Sequence, residues 1–144
     1  MKSQWYCILF SSFVVLILSS GVVYAGCTPH PISGIWQAQH HTKLSPNKIE
    51  IMHNCKAASY SGGKTREPEW VIRVFHSCIP RDCIWGRAVA KRSLSGVLEA
   101  KLETFSAKRY IKIIPFGLKI EVKYIIDYRS ELQKDLQGRV YMTR

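Results

Sequence analysis

Apolar and polar residues alternate over most of the second half of the chain. Leu118, Ile120, Val122, Tyr124 and Ile126 are separated by Lys119, Glu121, Lys123 and Ile125, the two-residue period of a strand with one buried face. Val97–Phe105 and Lys108–Ile114 repeat the pattern, and matching their apolar positions predicts two tight hairpins. A Phe116-Gly117 turn sets Ile113 opposite Ile120 and Ile111 opposite Val122. A Ser106-Ala107 turn sets Leu102 opposite Ile111 and Ala100 opposite Ile113. Further strands are expected at Gly34–His41, Asn47–His53, Ala57–Gly62, Trp70–His76, Ile84–Ala90 and Arg139–Thr143. One segment reads as helix: Ser130-Glu131-Leu132-Gln133 has the form of a capping box, Leu132 and Leu136 are four apart, and Gly138 can terminate it. The expectation is an all-β fold with one short helix before the last strand. About eight hairpin-linked strands manage their edges best by closing into an antiparallel up-and-down barrel; a β-sandwich is the alternative.

The N-terminal segment has a different pattern. Lys2 is the only charged residue before Lys43, and the apolar stretch Ile8–Leu18 leads to Val23-Tyr24-Ala25. A charged start, an apolar centre and small residues at −3 and −1 predict a signal peptide over residues 1–25, cut between Ala25 and Gly26. A single β domain, residues 26–144, then remains in the periplasm or outside the cell. Two alternatives stand beside this. Trp5–Ala25 is long enough to stay as a membrane anchor, and Tyr24-Ala25-Gly26-Cys27 resembles a lipoprotein box that would anchor the chain through a lipidated Cys27.

Export changes the reading of the cysteines. Of the five, Cys7 lies in the leader, leaving Cys27, Cys55, Cys78 and Cys83, an even number in an oxidising compartment. If residues 79–82 form a hairpin loop, Cys78 and Cys83 face each other within disulfide range. The favoured pairs are Cys78–Cys83 and, if Cys27 carries no lipid, Cys27–Cys55. A competing zinc reading takes His53-Asn54-Cys55 and His76-Ser77-Cys78 as four tetrahedral ligands, but no C-x-x-C spacing supports it and the expected metal content is none.

Charge adds a question about partners. The chain of 144 residues has 21 Lys+Arg against 10 Asp+Glu, a formal +11. Cleavage removes a single Lys, so the excess persists. With 47% apolar residues the chain is too hydrophobic for a disordered polycation. A basic excess points first to nucleic acid, yet the predicted registers mix signs in every outward row: Glu103–Tyr110–Lys123, Lys101–Lys112–Glu121 and Glu99–Ile114–Lys119. The excess is therefore assigned to turns and rims, including Lys43, Lys64, Arg81 and Arg92. Nucleic acid is disfavoured, and the expected partner is an anionic envelope surface, a small anionic or apolar ligand, or another exported protein.

The search for chemistry finds little. There is no G-x-S-x-G, H-E-x-x-H or phosphate loop, and no cofactor is expected. The register drawn from Cys78/Cys83 sets Arg73 opposite Ala88 and Arg87 opposite Val74, so one of the two must point into the barrel. An inward Arg in a barrel mouth would read an anion. Trp85, placed opposite His76, would wall such a site. The candidate ligand-binding residues are thus Arg73, Arg87, Trp85 and His76.

Two resemblances follow. Ser33-Gly34-Ile35-Trp36 resembles the G-x-W signature of lipocalins and related calycin barrels. Cys78-Ile79-Pro80-Arg81-Asp82-Cys83-Ile84-Trp85-Gly86 resembles the C-x-P-x-D-C-x-W-G signature of a family of secreted bacterial domains with no assigned activity. Together they imply an all-β exported domain of bacterial type and carry no catalytic residues with them. The leading expectation is a non-enzymatic binding barrel. The alternatives are a secreted hydrolase-type enzyme with a site near His76 and Trp85, and a structural envelope lipoprotein.

Overall fold

The computed structural model describes residues 28–55 and 68–144. The leader with its Ala25/Gly26 cleavage, Cys27 and the Ala57–Gly62 strand lie outside the described residues. Eight strands follow in order: β1 (Gly34–Ala38), β2 (Pro46–His53), β3 (Trp70–Ser77), β4 (Asp82–Arg92), β5 (Leu98–Glu103), β6 (Ala107–Phe116), β7 (Lys119–Tyr128) and β8 (Leu136–Thr143). Each pairs antiparallel with its sequence neighbours, and β8 returns to β1 through Gln37↔Thr143 and Ala38↔Met142, closing the barrel. The predicted up-and-down barrel is the observed fold, and the sandwich is not.

Strict alternation builds this wall. On β7 the residues Ile120, Val122, Tyr124 and Ile126 are buried, with Lys119, Lys123 and Ile125 outside. Ile49, Ile72, Val74, Leu98, Ile113, Val122 and Met142 are almost completely inaccessible; burying each such side chain is worth about 1.5–3 kcal/mol. The interior is therefore a filled core. One end is sealed by the segment before β1. Ile32 is buried there, the Trp36 indole donates to the Ile32 carbonyl at 2.8 Å, and the Arg144 guanidinium lies 4.9 Å over the Trp36 ring while donating to the Pro31 and Ser33 carbonyls. The other end holds the β1–β2, β3–β4, β5–β6 and β7–β8 connections.

Both predicted hairpin turns shift, and each shift moves the register by two residues. Gly117-Leu118 replaces Phe116-Gly117, because Gly117 takes a positive φ of 58° at the first turn position, as a type II′ hairpin requires. Ile113 then faces Val122 and Ile111 faces Tyr124. Phe105-Ser106 replaces Ser106-Ala107, because Ala107 is fully buried and exchanges bonds with Thr104 inside the ladder. Ala100 then faces Ile111 and Leu98 faces Ile113. A two-residue slip keeps every side chain on its face, so the core is as expected while the outward rows change. The expected mixed rows do not form. The observed rows are Glu103–Lys108–Asp127, Lys101–Tyr110–Ile125 and Lys91–Glu99–Lys112–Lys123–Arg139.

The expected helix also gives way. Residues 129–135 are a turn and bend connection. Gln133 N–H bonds the Ser130 carbonyl and Leu132 N–H bonds the Ser130 hydroxyl, but no second turn follows. Leu132 is exposed, while Leu136 and Gly138 belong to β8 opposite Ile126 and Tyr124. The strand ladder takes the two residues the helix needed.

Candidate anion site in the barrel mouth

The β3–β4 hairpin shapes the second end. Cys78 and Cys83 are disulfide-bonded across it, with Cα atoms 5.4 Å apart. Cys83 itself faces His76, and Cys78 lies in the turn. Further along, Phe75 faces Ile84 but Val74 faces Gly86, so Trp85 is an extra residue on β4. This is a β-bulge, and Gly86 supports it with φ at 147°. The bulge directs the Trp85 ring into the barrel, where it is buried, 6.0 Å from Tyr124 and 5.8 Å from His76.

That same extra residue overturns the placement of the two arginines. Arg73 faces Arg87 directly, and both lie on the outer wall. Arg73 pairs with Glu50 at 3.0 Å, and Arg87 is exposed. Neither enters the barrel, because one inserted residue reverses the alternation on β4 relative to a regular hairpin.

The inward arginine is Arg109. On β6 it shares the phase of Ala107, Ile111 and Ile113, and it sits between Leu102 and Ile126 in the sheet. Its guanidinium carbon lies 5.2 Å from the Trp85 ring centre, and one Nη donates to the Thr104 hydroxyl at 2.9 Å. Its Nε is buried and has no hydrogen-bond partner. Among the described residues no carboxylate comes within ion-pair distance. Burial pushes its pKa down, and the nearby Tyr128 opposes this. Burial raises the Tyr124 hydroxyl pKa, with a bond to Ser45 acting the other way. A half-buried cation with a free donor, an aromatic plate beneath it and no counter-ion is equipped to bind an oxyanion from the open end. Arg109 was findable from sequence, since alternation puts it in phase with Ile111 and Ile113.

The other candidates sort plainly. His76 and Trp85 come together at the mouth; Arg73 and Arg87 stay outside. His53 lies at the sealed end, stacked 4.2 Å on Trp70 and accepting the His30 N–H at 3.1 Å, so the zinc reading fails because its two H-x-C pairs occupy opposite ends. His76, Cys78 and Cys83 do cluster within 4.8 Å, but both sulfurs are spent in the disulfide and can act neither as thiolate ligands nor as nucleophiles. Asp82 accepts from Asn47 at 2.7 Å and lies 3.3 Å from Lys48; these contacts, Asn47 first, hold its carboxyl below the usual range.

Fold and site together define an eight-stranded closed barrel with a filled core and, among the described residues, one arginine, Arg109, turned inward at the end opposite the sealed one. Comparison with protein-family models, with curated proteins and with solved structures finds no match at any of the three levels.

Proposed function

We propose that the protein is an exported, non-enzymatic binding barrel whose open end takes a small oxyanion, a carboxylate or phosphate, on Arg109 above Trp85, with His76 at the edge of the site. The single observation that carries this reading is the inward Arg109 guanidinium over Trp85, which has no carboxylate partner among the described residues and whose Nε makes no hydrogen bond. A buried unpaired donor costs about 1–3 kcal/mol, and an entering oxyanion offsets that cost. Because the core is filled, the ligand is a small anion or the acidic end of a larger envelope component.

Export is supported by the Cys78–Cys83 disulfide, which suits an oxidising compartment. Cys55 is also disulfide-bonded. The proposal keeps the expected Cys27–Cys55 pair. A Cys27 alkylated on sulfur by a diacylglyceryl group could not form it, so the proposal takes release with a free Gly26 over a lipid anchor.

The test is isothermal titration of the purified exported protein with acetate, succinate and inorganic phosphate, with Trp85 fluorescence as a second readout. Saturable binding that disappears in Arg109→Met supports the reading. No binding of any of the three anions rejects it.

A further inference from the structure

The observed register creates a surface that the predicted one lacks. Lys91, Glu99, Lys112, Lys123 and Arg139 lie directly opposite one another across five consecutive strands, β4 to β8. Lys112 faces Lys123, and Lys123 faces Arg139; like charges in directly opposed positions destabilise a sheet. Glu99 answers Lys112 at 2.8 Å, and Glu121 reaches Lys123 and Arg139 only at 3.9 Å each. Four cations thus share one row with a single acid.

The next row sets three apolar side chains around Lys101. Tyr110 faces Ile125, and on β4 Val89 continues the line beside Ala90. These three side chains are 42%, 47% and 59% exposed, and Lys101 lies between them with its ammonium 5.8 Å from the Tyr110 ring. The row spans three strand spacings, roughly 14 Å. Both rows, Arg139 excepted, line a groove of ≈ 590 Å³ on the outer wall, within the size range of small-molecule sites. It is separate from the barrel mouth, which lies at the ends of the strands.

We propose that this groove binds a single-chain anionic amphiphile of the fatty-acid type. The acyl chain lies across Val89, Tyr110 and Ile125, and the acidic head meets Lys112 and Lys123. Charge complementarity selects the ligand: a neutral chain leaves Lys123 between Lys112 and Arg139 with Glu121 only at 3.9 Å, and an anion without a tail leaves the apolar side chains in water.

The probe is laurate, kept below its micelle concentration and titrated calorimetrically in excess acetate, which occupies the mouth site of the proposed function. Methyl laurate is the neutral control. Saturable laurate binding is expected, at least tenfold tighter than methyl laurate. Lys112→Gln/Lys123→Gln weakens it about tenfold, a loss of roughly 1.4 kcal/mol, and Ile125→Asp weakens it further. The double glutamine variant melts close to the wild type, since the opposed like-charge pair it removes offsets the loss of the exposed Lys112–Glu99 ion pair, so its loss of binding is not a loss of folding. Absence of laurate binding overturns the proposal, as does wild-type affinity in Ile125→Asp. Binding to phosphatidylglycerol vesicles without binding of monomeric laurate overturns it in favour of a bilayer. Laurate binding lost in Arg109→Met but kept in Ile125→Asp moves the ligand to the mouth, which rejects the groove and leaves the mouth reading standing.

Discussion

Replacing Arg109 by Met separates a ligand-binding arginine from a structural one. The substitution keeps the length of the side chain and removes its charge. The folded protein loses the bond from Nη to the Thr104 hydroxyl, about 1.5 kcal/mol, and the contact of the guanidinium with Trp85, about 1 kcal/mol at a half-exposed site. It gains relief of the buried Nε, about 2 kcal/mol, and a sulfur–aromatic contact with Trp85 of up to about 1 kcal/mol. These nearly cancel, and urea unfolding should show a change within about 1 kcal/mol. An arginine that held the fold through a buried ion pair would instead lose about 3–5 kcal/mol on truncation of one partner. The ligand response gives the second half of the test. An anion at a hundred times its Kd stabilises the wild type by about 2.7 kcal/mol, a rise of roughly 10 °C in Tm for a domain of this size. Arg109→Met should show no rise at all. A loss of more than 3 kcal/mol in the variant, or an anion-induced rise that survives the substitution, refutes the assignment of Arg109 as the reader of the mouth.

Three further perturbations test the frame around the two sites. Cys78→Ser opens a short loop, for which the loop-entropy argument gives a loss of about 2 kcal/mol; equal urea midpoints for the variant and the wild type would contradict it. At Gly138 a Cβ would stand 2.5 Å from the Tyr124 hydroxyl oxygen and 2.7 Å from its ring carbon, so Gly138→Ala should destabilise by about 1–3 kcal/mol through overpacking, read by thermal melting. At the sealed end, burial first, then Arg92 and His53, lower the pKa of His30 below 6.5. Its unfolded form therefore binds a proton at higher pH than its folded form, and stability falls as pH drops from 6.5 through the folded value. Glu69, 3.7 Å from His53, faces the same cluster, so the assay compares Tm against pH in the wild type and His30→Gln. An equally steep acid decline in His30→Gln would remove His30 as the cause.

What could be read from the sequence divides along one physical line. Burial fixes which face of a strand points inward, and alternation reports burial directly. The closed barrel, the core of β5 to β7 and the Cys78–Cys83 bridge were therefore legible. Register is a weaker signal, because a slip of two residues leaves every face intact. Placing the turn at Phe116-Gly117, where the structure has it at Gly117-Leu118, kept the correct core but replaced Lys112↔Lys123 with a Lys112–Glu121 pair, turning a strongly cationic row into a mixed one. The helix at residue 130 failed for a related reason: Leu136 and Gly138 satisfy both a helical and a two-residue spacing, and only the neighbouring β7 ladder decides between them. The bulge is the opposite case, since a single inserted residue does change faces. Gly86 was its trace in the sequence, because an isolated Gly inside a strand pattern marks a bulge or a close approach, and here Leu102 would lie 3.2 Å from a Cβ at that position. Applied at Trp85-Gly86, that rule moves Arg73 and Arg87 together to the outer wall. The inward position then passes to Arg109, the one arginine among the described residues whose neighbours two residues away, Ala107 and Ile111, are both buried. One arginine does face the interior, and a glycine in β4 places it on β6.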